Sequence, residues 1–214
     1  MRILLHRADG VTEPWVRDFA DLLPEAEVVV WQEGLSIAPC DYAVLWMPPA
    51  GLLADLAHVK AIFLTGAGAD AILKYGDELP PVPIIRLGDA GMAAQMAEYV
   101  AYAVLRYFRR FDDYEKQARR GVWAQLSQYS KEDFSIGVMG TGVLGMRVIE
   151  ALKPFGFPLR GWSRSEKDIE GVECFSGSHA LDEFLGSTRV LVCMLPLTPE
   201  TTNLLDRAML SKLP

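Results

Sequence analysis

The stretch FSIGVMGTGVLGMRVIEAL, residues 134–152, decides how this sequence is interpreted. A short apolar run, SIGVM, is followed by three glycines spaced G-x-G-x-x-G and then by a segment with the spacing of an amphipathic helix. A strand, a glycine turn and a helix in this order are the context in which the dinucleotide-binding fingerprint occurs. The stretch therefore predicts a Rossmann-type unit. The alternative interpretation is a structural turn without a ligand.

Each of the three glycines of this loop has a physical role in binding a dinucleotide. Gly140 permits a tight turn, Gly142 lets a pyrophosphate approach the backbone, and Gly145 lets the helix pack closely on the strand. Backbone N–H groups at the start of the helix point toward the phosphates at the favourable end of the helix dipole. The candidate cofactor-binding residues of the loop are Gly140, Thr141, Gly142, Val143, Leu144 and Gly145.

The second strand of the unit, FPLRGW (157–162), predicts which dinucleotide is bound. A site for NAD usually ends this strand with an acid that binds the adenine ribose. Here Ser163, Arg164 and Ser165 stand at that place, and Lys167 follows. An arginine can form charge-assisted hydrogen bonds with a 2′-phosphate, which a carboxylate would repel. The sequence therefore predicts NADP(H) in preference to NAD(H), unless Arg164 is only a solvated surface residue.

The rest of the chain has the pattern of an α/β protein. The first hundred residues alternate between short apolar strands and helical segments, which predicts parallel βα units in a flavodoxin-like domain. A long helix is predicted near 90–110, and the polar segment 109–133 that follows is predicted to be a helical connector and loop. From Ser135 the alternation restarts with three strands and stops at Pro214. We expect a first domain over 1–100 and an incomplete Rossmann domain over 101–214.

Composition excludes several classes of function. Half of the 214 residues are apolar, 23% are charged, and the net charge is −7. A soluble globular protein fits these values, whereas a nucleic-acid binder usually has a basic face. The three cysteines are dispersed, so neither a metal site nor a disulfide framework is expected. The absence of a signal-like or membrane-length apolar run leads us to expect a cytoplasmic protein without a membrane partner.

Longer segments are similar to one enzyme family. The glycine loop, WSRS (162–165) and VLVCMLPLTPETTNLLD (190–206) together resemble the D-isomer-specific 2-hydroxyacid dehydrogenases. Within that family, WMPPAGLL (46–53), KAIFLTGAGAD (60–70) and QMAEYVAYAVLRYFRR (95–110) resemble glyoxylate/hydroxypyruvate reductases of the A type. The similarity extends over essentially the whole chain. Its most specific part is the P-L-T-P-E-T-x-x-L segment.

The resemblance implies a substrate domain followed by an inserted cofactor domain, with the substrate in the cleft between them. It also implies roles for residues outside the glycine loop. The implied substrate-binding residues are Trp46, Gly66, Ala67 and Gly68, the last three within a loop whose backbone amides bind a carboxylate. The further implied cofactor-binding residues are Met96, Leu195, Pro196, Leu197, Thr198 and Thr202. Without the resemblance, Trp46 and Met96 would be read as core residues and the loop as an ordinary turn.

The implied reaction, in the intact parent protein, is NADPH-dependent reduction of small 2-keto acids, such as glyoxylate and hydroxypyruvate, by a homodimeric enzyme. Such a reaction needs a cation, a general acid and a carboxylate that orients this acid. In the family these are an arginine, a histidine and an acidic residue, which we expect after Pro214. His6, His58 and His179 are not expected to replace that histidine. Two alternatives remain, an NADP(H)-binding sensor without turnover and a response-regulator-like domain.

Overall fold

The chain forms two compact units in a computed structural model that describes residues 1–34, 36, 38–66 and 68–214. The first unit is Met1–Gly88 and the second is Asp89–Pro214. The sequence predicted a boundary after residue 100, inside the long helix. The units divide before that helix, because the helix packs on another helix of the second unit.

The first unit is built around a parallel sheet of five strands in the order β2-β1-β3-β4-β5. This is the strand order of flavodoxin-like folds, as predicted. The described elements are β1 (Arg2–Arg7), α1 (Glu13–Leu22), β2 (Glu27–Val30), β3 (Tyr42–Trp46), α2 (Ala50–Ala54), β4 (Ala61–Leu64), α3 (Asp70–Leu73), a 3-10 turn (Gly76–Glu78) and β5 (Ile84–Arg86).

Alternate residues of these strands pack into two separate cores. Leu4 and Leu45 point to the face that α2 and α3 cover, where a large apolar cluster is completely buried. Ile3, Leu5 and Val44 point to the other face, where α1 packs on them. Each fully buried aliphatic side chain contributes roughly 1.5–3 kcal/mol. The strands are therefore apolar on both faces, as expected for a parallel sheet.

The second unit has a parallel sheet of four strands in the order β8-β7-β6-β9. This order is that of the first four strands of a Rossmann fold. The described elements are α4 (Met92–Phe108), α5 (Phe111–Arg119), β6 (Ile136–Met139), α6 (Val143–Leu152), a 3-10 turn (Lys153–Phe155), β7 (Leu159–Ser163), β8 (Glu173–Ser176), α7 (Leu181–Gly186), β9 (Val190–Cys193) and α8 (Arg207–Leu210).

Strand β8 corrects the sequence analysis, which predicted three strands in this unit. Its sequence, ECFS, has only two apolar residues between polar ends, so it carries no strand signal of its own. It becomes a strand because it pairs with β7, where Arg160 bonds to Glu173 across the two strands at 2.9 Å. The polar connector is partly helical, as predicted, since residues 111–119 form α5.

The core of the second unit lies between α4, α6 and the sheet. Apolar residues of α4 recur at helical spacing and contact the buried face of α6. The aromatic ring of Phe134 is fully buried and stacks edge-to-face on Phe108 at 5.0 Å between ring centroids. This packing fixes α6, and with it the turn that precedes α6. Within the described residues, no helix combines the length and the apolar character needed to cross a lipid bilayer.

Candidate functional site

Two glycines of the turn between β6 and α6 are required by the packing of the backbone itself. Gly140 has φ +97°, and a Cβ atom there would lie 2.9 Å from the carbonyl carbon of Met194. A Cβ atom at Gly145 would clash with the carbonyl oxygen of Gly140 and lie 3.0 Å from its carbonyl carbon. Gly140 therefore lets the turn approach the backbone that follows β9, and Gly145 lets the start of α6 touch the residue that follows β6. These are the geometries predicted for a tight turn and for close helix packing.

Gly142 differs from these two glycines. No described heavy atom lies within 4 Å of the position that its Cβ would occupy, so the space beside this residue is open. Directly before it, Thr141 is buried, and its hydroxyl oxygen has no hydrogen-bond partner among the described residues. Directly after it, Val143 and Leu144 carry first-turn N–H groups, which no helix can satisfy internally. Open space, an unpaired hydroxyl and free amides fit an anionic, hydrogen-bonding ligand.

Lys167 adds a cation to this turn. Its Nζ donates a hydrogen bond to the carbonyl oxygen of Thr141 at 2.6 Å, although the two residues are far apart in sequence. The sequence analysis had named Lys167 only as an additional charge after β7. The structure places its ammonium group at the backbone of the glycine turn, where positive charge favours a bound phosphate.

The end of β7 presents Arg164 to solvent. Ser163 accepts a hydrogen bond from Gly177 through its carbonyl, and its hydroxyl donates to the carbonyl oxygen of Ser165 at 2.7 Å. The Ser163 hydroxyl proton is therefore engaged within the turn in this structure. Arg164 itself is exposed.

Glu200 is an acidic neighbour that the sequence analysis did not identify. The pKa of its carboxyl group lies below the ordinary value, chiefly through a hydrogen bond with Thr198, and the positive charge of Arg164 contributes. The loop after β9 and the loop after β7 therefore approach each other. A phosphate bound by Arg164 would have this carboxylate nearby.

The loop after β9 is fixed by threonine hydroxyl groups. Thr201 donates its hydroxyl to the carbonyl of Pro196 at 2.6 Å and accepts the amide of Thr198 at 2.8 Å. The Thr202 hydroxyl donates to the carbonyl of Thr198 at 2.7 Å, so this predicted ligand donor is used within the loop. The sequence analysis missed Thr201, although its spacing of three residues from Thr198 is typical of such a turn. Leu195 is partly buried, whereas Leu197 is exposed.

The predicted substrate loop of the first unit lies at the carboxyl ends of β3 and β4. Trp46 ends β3, and the next residue, Met47, has φ +50°, a conformation rare outside glycine. A Cβ atom on Gly66 would contact the Trp46 indole at 3.6 Å, an ordinary van der Waals distance. At Gly68 it would lie 2.7 Å from the Asp70 carboxylate. Ala67 lies outside the described residues.

Met96 and His6 lie in different units of the chain and differ in their surroundings. Met96 is half-buried on α4 in the second unit. His6 points to the face of the first sheet opposite Arg7, with its ring edge-to-face on Trp31 at 5.0 Å. The Nε2 atom of His6 is buried without a partner in the described part of the chain, and burial lowers the pKa of this imidazole. A partly buried histidine with a lowered pKa fits the structural role expected for it.

Comparison with protein families identifies the second unit. Residues 101–214 match the family model described as D-isomer specific 2-hydroxyacid dehydrogenase, NAD binding domain. The glyoxylate/hydroxypyruvate reductase A of Escherichia fergusonii is 47% identical over 218 residues, which cover 100% of this chain and 69% of that protein. The reductase of the same name from Salmonella enteritidis is 43% identical over 219 residues, which cover 100% of this chain and 70% of that protein.

Solved structures give a consistent result. A D-isomer specific 2-hydroxyacid dehydrogenase from Xanthobacter autotrophicus Py2, in complex with NADPH and MES, superposes with a TM-score of 0.89 at 35% identity, over 100% of this chain and 69% of that one. An NADPH-dependent glyoxylate/hydroxypyruvate reductase from Sinorhizobium meliloti, in complex with NADP and sulfate, gives a TM-score of 0.88 at 34% identity, over 99% and 67%.

Proposed function

Because the chain belongs to the D-isomer-specific 2-hydroxyacid dehydrogenases, we propose that it serves the NADPH-dependent reduction of small 2-keto acids. Glyoxylate and hydroxypyruvate are the first candidate substrates, because the similar reductases are named after these two keto acids. The observation that carries the proposal is the open turn at Gly142, with the unpaired Thr141 hydroxyl and the Lys167 ammonium beside it. A nicotinamide dinucleotide bound there would supply the hydride.

The proposed preference for the phosphorylated cofactor rests on Arg164. No acid stands at 163–165, the place where an NAD site usually has one. Arg164 is exposed at the end of β7 and lies near enough to Glu200 to affect its pKa. We propose that a 2′-phosphate replaces this carboxylate as the partner of the guanidinium. The cofactors NADPH and NADP in the two similar structures support this proposal.

The proposed substrate site is the carboxyl edge of the first sheet, with Trp46, Gly66 and Gly68 as its residues. Backbone amides at a glycine-containing loop can approach a carboxylate closely, because no side chain intervenes. Trp46 forms an apolar wall against the same loop. The proposal assigns no residue of 1–214 the role of general acid.

The experiment that tests the cofactor proposal compares NADPH and NADH with Arg164→Ala. A charge-assisted hydrogen bond contributes about 1.5–3 kcal/mol, so we expect NADPH to bind roughly 10- to 100-fold more weakly and NADH to bind unchanged. Arg147→Ala is the matched control, since Arg147 is an exposed arginine of the same unit that pairs with Glu150. An unchanged preference between the two cofactors in Arg164→Ala would contradict the proposal.

The reductase proposal is tested by NADPH oxidation in the presence of glyoxylate or hydroxypyruvate, measured on the intact protein that contains this chain. We expect oxidation that depends on the concentration of the keto acid. NADPH binding without oxidation would instead favour the alternative of a cofactor-binding regulator.

We also propose that the protein forms a homodimer through exposed aromatic residues of the second unit. These residues are Tyr99, Tyr102, Phe111 and Trp123, whose exposed fractions range from 49% to 102%. Aromatic residues are enriched in protein interfaces, and large exposed apolar patches mark interaction sites. Sedimentation of the double variant Phe111→Ser, Trp123→Ser should show the monomer. Leu22→Ser, which changes an exposed leucine of the first unit, should leave the dimer intact.

A further inference from the structure

Arg7 is a residue at the proposed substrate edge to which neither the motifs nor the comparisons assign a role. It ends β1, and in the parallel register it is the partner of Trp46 at the end of β3. Side chains of paired residues on neighbouring parallel strands lie on the same face of a sheet. Arg7 and Trp46 therefore stand side by side on the face that α1 covers.

The guanidinium of Arg7 contacts two indole rings at once. Its Cζ atom lies 4.9 Å from the ring centroid of Trp46 and 5.1 Å from that of Trp15, which belongs to α1. Both distances are within the range of cation–π interactions. Only 15% of the Arg7 side chain is exposed, so solvent screens these contacts little. The planar group thus connects a helix to the end of a strand.

The same guanidinium is held in orientation by Asp9. Nε donates to Oδ1 of Asp9 at 3.1 Å and Nη2 donates to Oδ2 at 2.6 Å, which is a bidentate pair. The Asp9 carboxylate also accepts the amide of Val11 at 3.0 Å. The hydrogen bond from Arg7 is the main reason why the pKa of Asp9 lies below its ordinary value of 3.8. The Asp9 carboxylate therefore stays ionised throughout the neutral pH range.

The third nitrogen of Arg7 faces the proposed substrate loop. Nη1 lies 3.5 Å from the hydroxyl oxygen of Thr65, the residue that follows β4. The Trp46 indole, on which the Arg7 guanidinium stacks, also lies next to Gly66. Arg7 consequently touches both the wall of the proposed pocket and the first residue of its loop. Its charge is already balanced by Asp9, so the residue has the geometry of a support for the pocket.

We propose that Arg7 is a positioning residue, which holds the Trp46 indole and the Thr65–Gly66 backbone in the arrangement that receives the carboxylate of the keto acid. This inference rests on the proposed function, because it assigns Arg7 to the substrate site proposed above. Only a guanidinium can stack on two rings and form a bidentate pair at the same time, since an ammonium group is neither planar nor forked.

The test replaces Arg7 by lysine and measures the steady-state kinetics of NADPH oxidation. Arg7→Lys keeps the positive charge but removes the stacking and the bidentate pair. Because Arg7→Lys weakens one or two cation–π contacts that hold Trp46 in place, we expect KM for glyoxylate to rise roughly tenfold, while kcat changes less than about twofold. Arg2→Lys is the matched control, because Arg2 begins the same strand and bonds to Glu27 through two nitrogens at its exposed side.

Two further measurements separate positioning from a purely structural role. Both lysine variants should melt within about 2–4 °C of the wild type, the shift that corresponds to about 1 kcal/mol in a chain of this size. A purely structural role would lower the melting temperature of Arg7→Lys and leave KM unchanged, which would overturn the inference. Asp9→Asn keeps Arg7 but weakens its orientation, and it should raise KM in the same direction by a smaller factor.

Glyoxylate titration followed by tryptophan fluorescence tests the site without turnover. The wild type should respond, and a Trp46→Phe variant identifies the part of the signal that Trp46 provides. The response of Arg7→Lys should require a higher glyoxylate concentration than that of Arg2→Lys. If the wild type responds and the two variants respond equally, the inference fails and the proposed function stands. If the wild type neither responds nor oxidises NADPH with glyoxylate, both fail.

Discussion

The two sheets of this protein end in carboxyl edges that are built in different ways. At the edge of the second unit, Gly140 and Gly145 bring backbone into contact with backbone, and of the three motif glycines only Gly142 has open space beside it. At the edge of the first unit, large side chains provide the structure, since the indole of Trp46 packs beside Gly66 and the guanidinium of Arg7 stacks on that indole.

This difference teaches which glycines the fold requires and which leave room for a ligand. A glycine whose added Cβ atom would strike the backbone is a structural requirement, because a backbone atom cannot move aside as a side chain can. A glycine with open space beside it has no such structural reason. Gly145 belongs to the first kind, whereas Gly142 belongs to the second kind. The G-x-G-x-x-G spacing by itself does not distinguish between these two kinds of glycine.

Gly145→Ala should have the largest effect. The new methyl group would overlap the carbonyl oxygen of Gly140, so α6 would have to move away from β6 and from the core that it shares with α4. We expect a loss of about 3 kcal/mol or more in the free energy of unfolding. Urea denaturation followed by circular dichroism measures it. A loss below about 1 kcal/mol would show that the turn has room to relax.

Gly66→Ala should be tolerated by the fold. A methyl group there would rest on the Trp46 indole at ordinary contact distance. Replacing glycine by alanine also restricts the unfolded chain, which stabilises a protein by about 0.4–1 kcal/mol where the backbone is compatible. Denaturation should therefore show an unchanged or slightly higher free energy of unfolding. A loss as large as that of Gly145→Ala would remove the distinction between the two edges.

The smallest expected effect concerns pH and His6. Burial lowers the pKa of this imidazole below its ordinary value of 6.5, so at pH values just below 6.5 the unfolded chain binds more protons than the folded chain. The contribution of His6 to the free energy of unfolding is thus fully present above pH 6.5. It decreases as the pH falls toward the pKa of His6 in the folded protein. His6→Leu should flatten this slope in denaturation experiments between pH 7 and 5, the interval around that ordinary pKa. His58→Leu, at an exposed position, should retain it.

Local patterns allowed much of the fold to be predicted from the sequence. The alternation of apolar runs and helical segments indicated both parallel sheets, and the glycine spacing indicated the turn at 140–145. The family is confirmed by the match over residues 101–214. Strand β8 was not predicted, because a four-residue segment with polar ends becomes a strand only through its partner.

The contacts that shape the candidate sites could not be predicted in the same way. Lys167 meets Thr141 only after β6 and β7 have paired, and Arg7 meets Trp46 only through the register of β1 and β3. The pairing of residues distant in sequence depends on that register, which local patterns do not encode. The engaged hydroxyl groups of Ser163 and Thr202 likewise depend on turn geometry.

The most direct test of the account is calorimetric titration of NADPH into the wild type, Gly142→Ala and Gly51→Ala. Both glycines have open space beside them in the described structure, but Gly51 lies in α2 of the first unit. We predict that both variants melt like the wild type. We also predict that Gly142→Ala alone binds NADPH at least about tenfold more weakly, because its methyl group occupies the space meant for the pyrophosphate. Equal affinity in all three proteins would contradict the account.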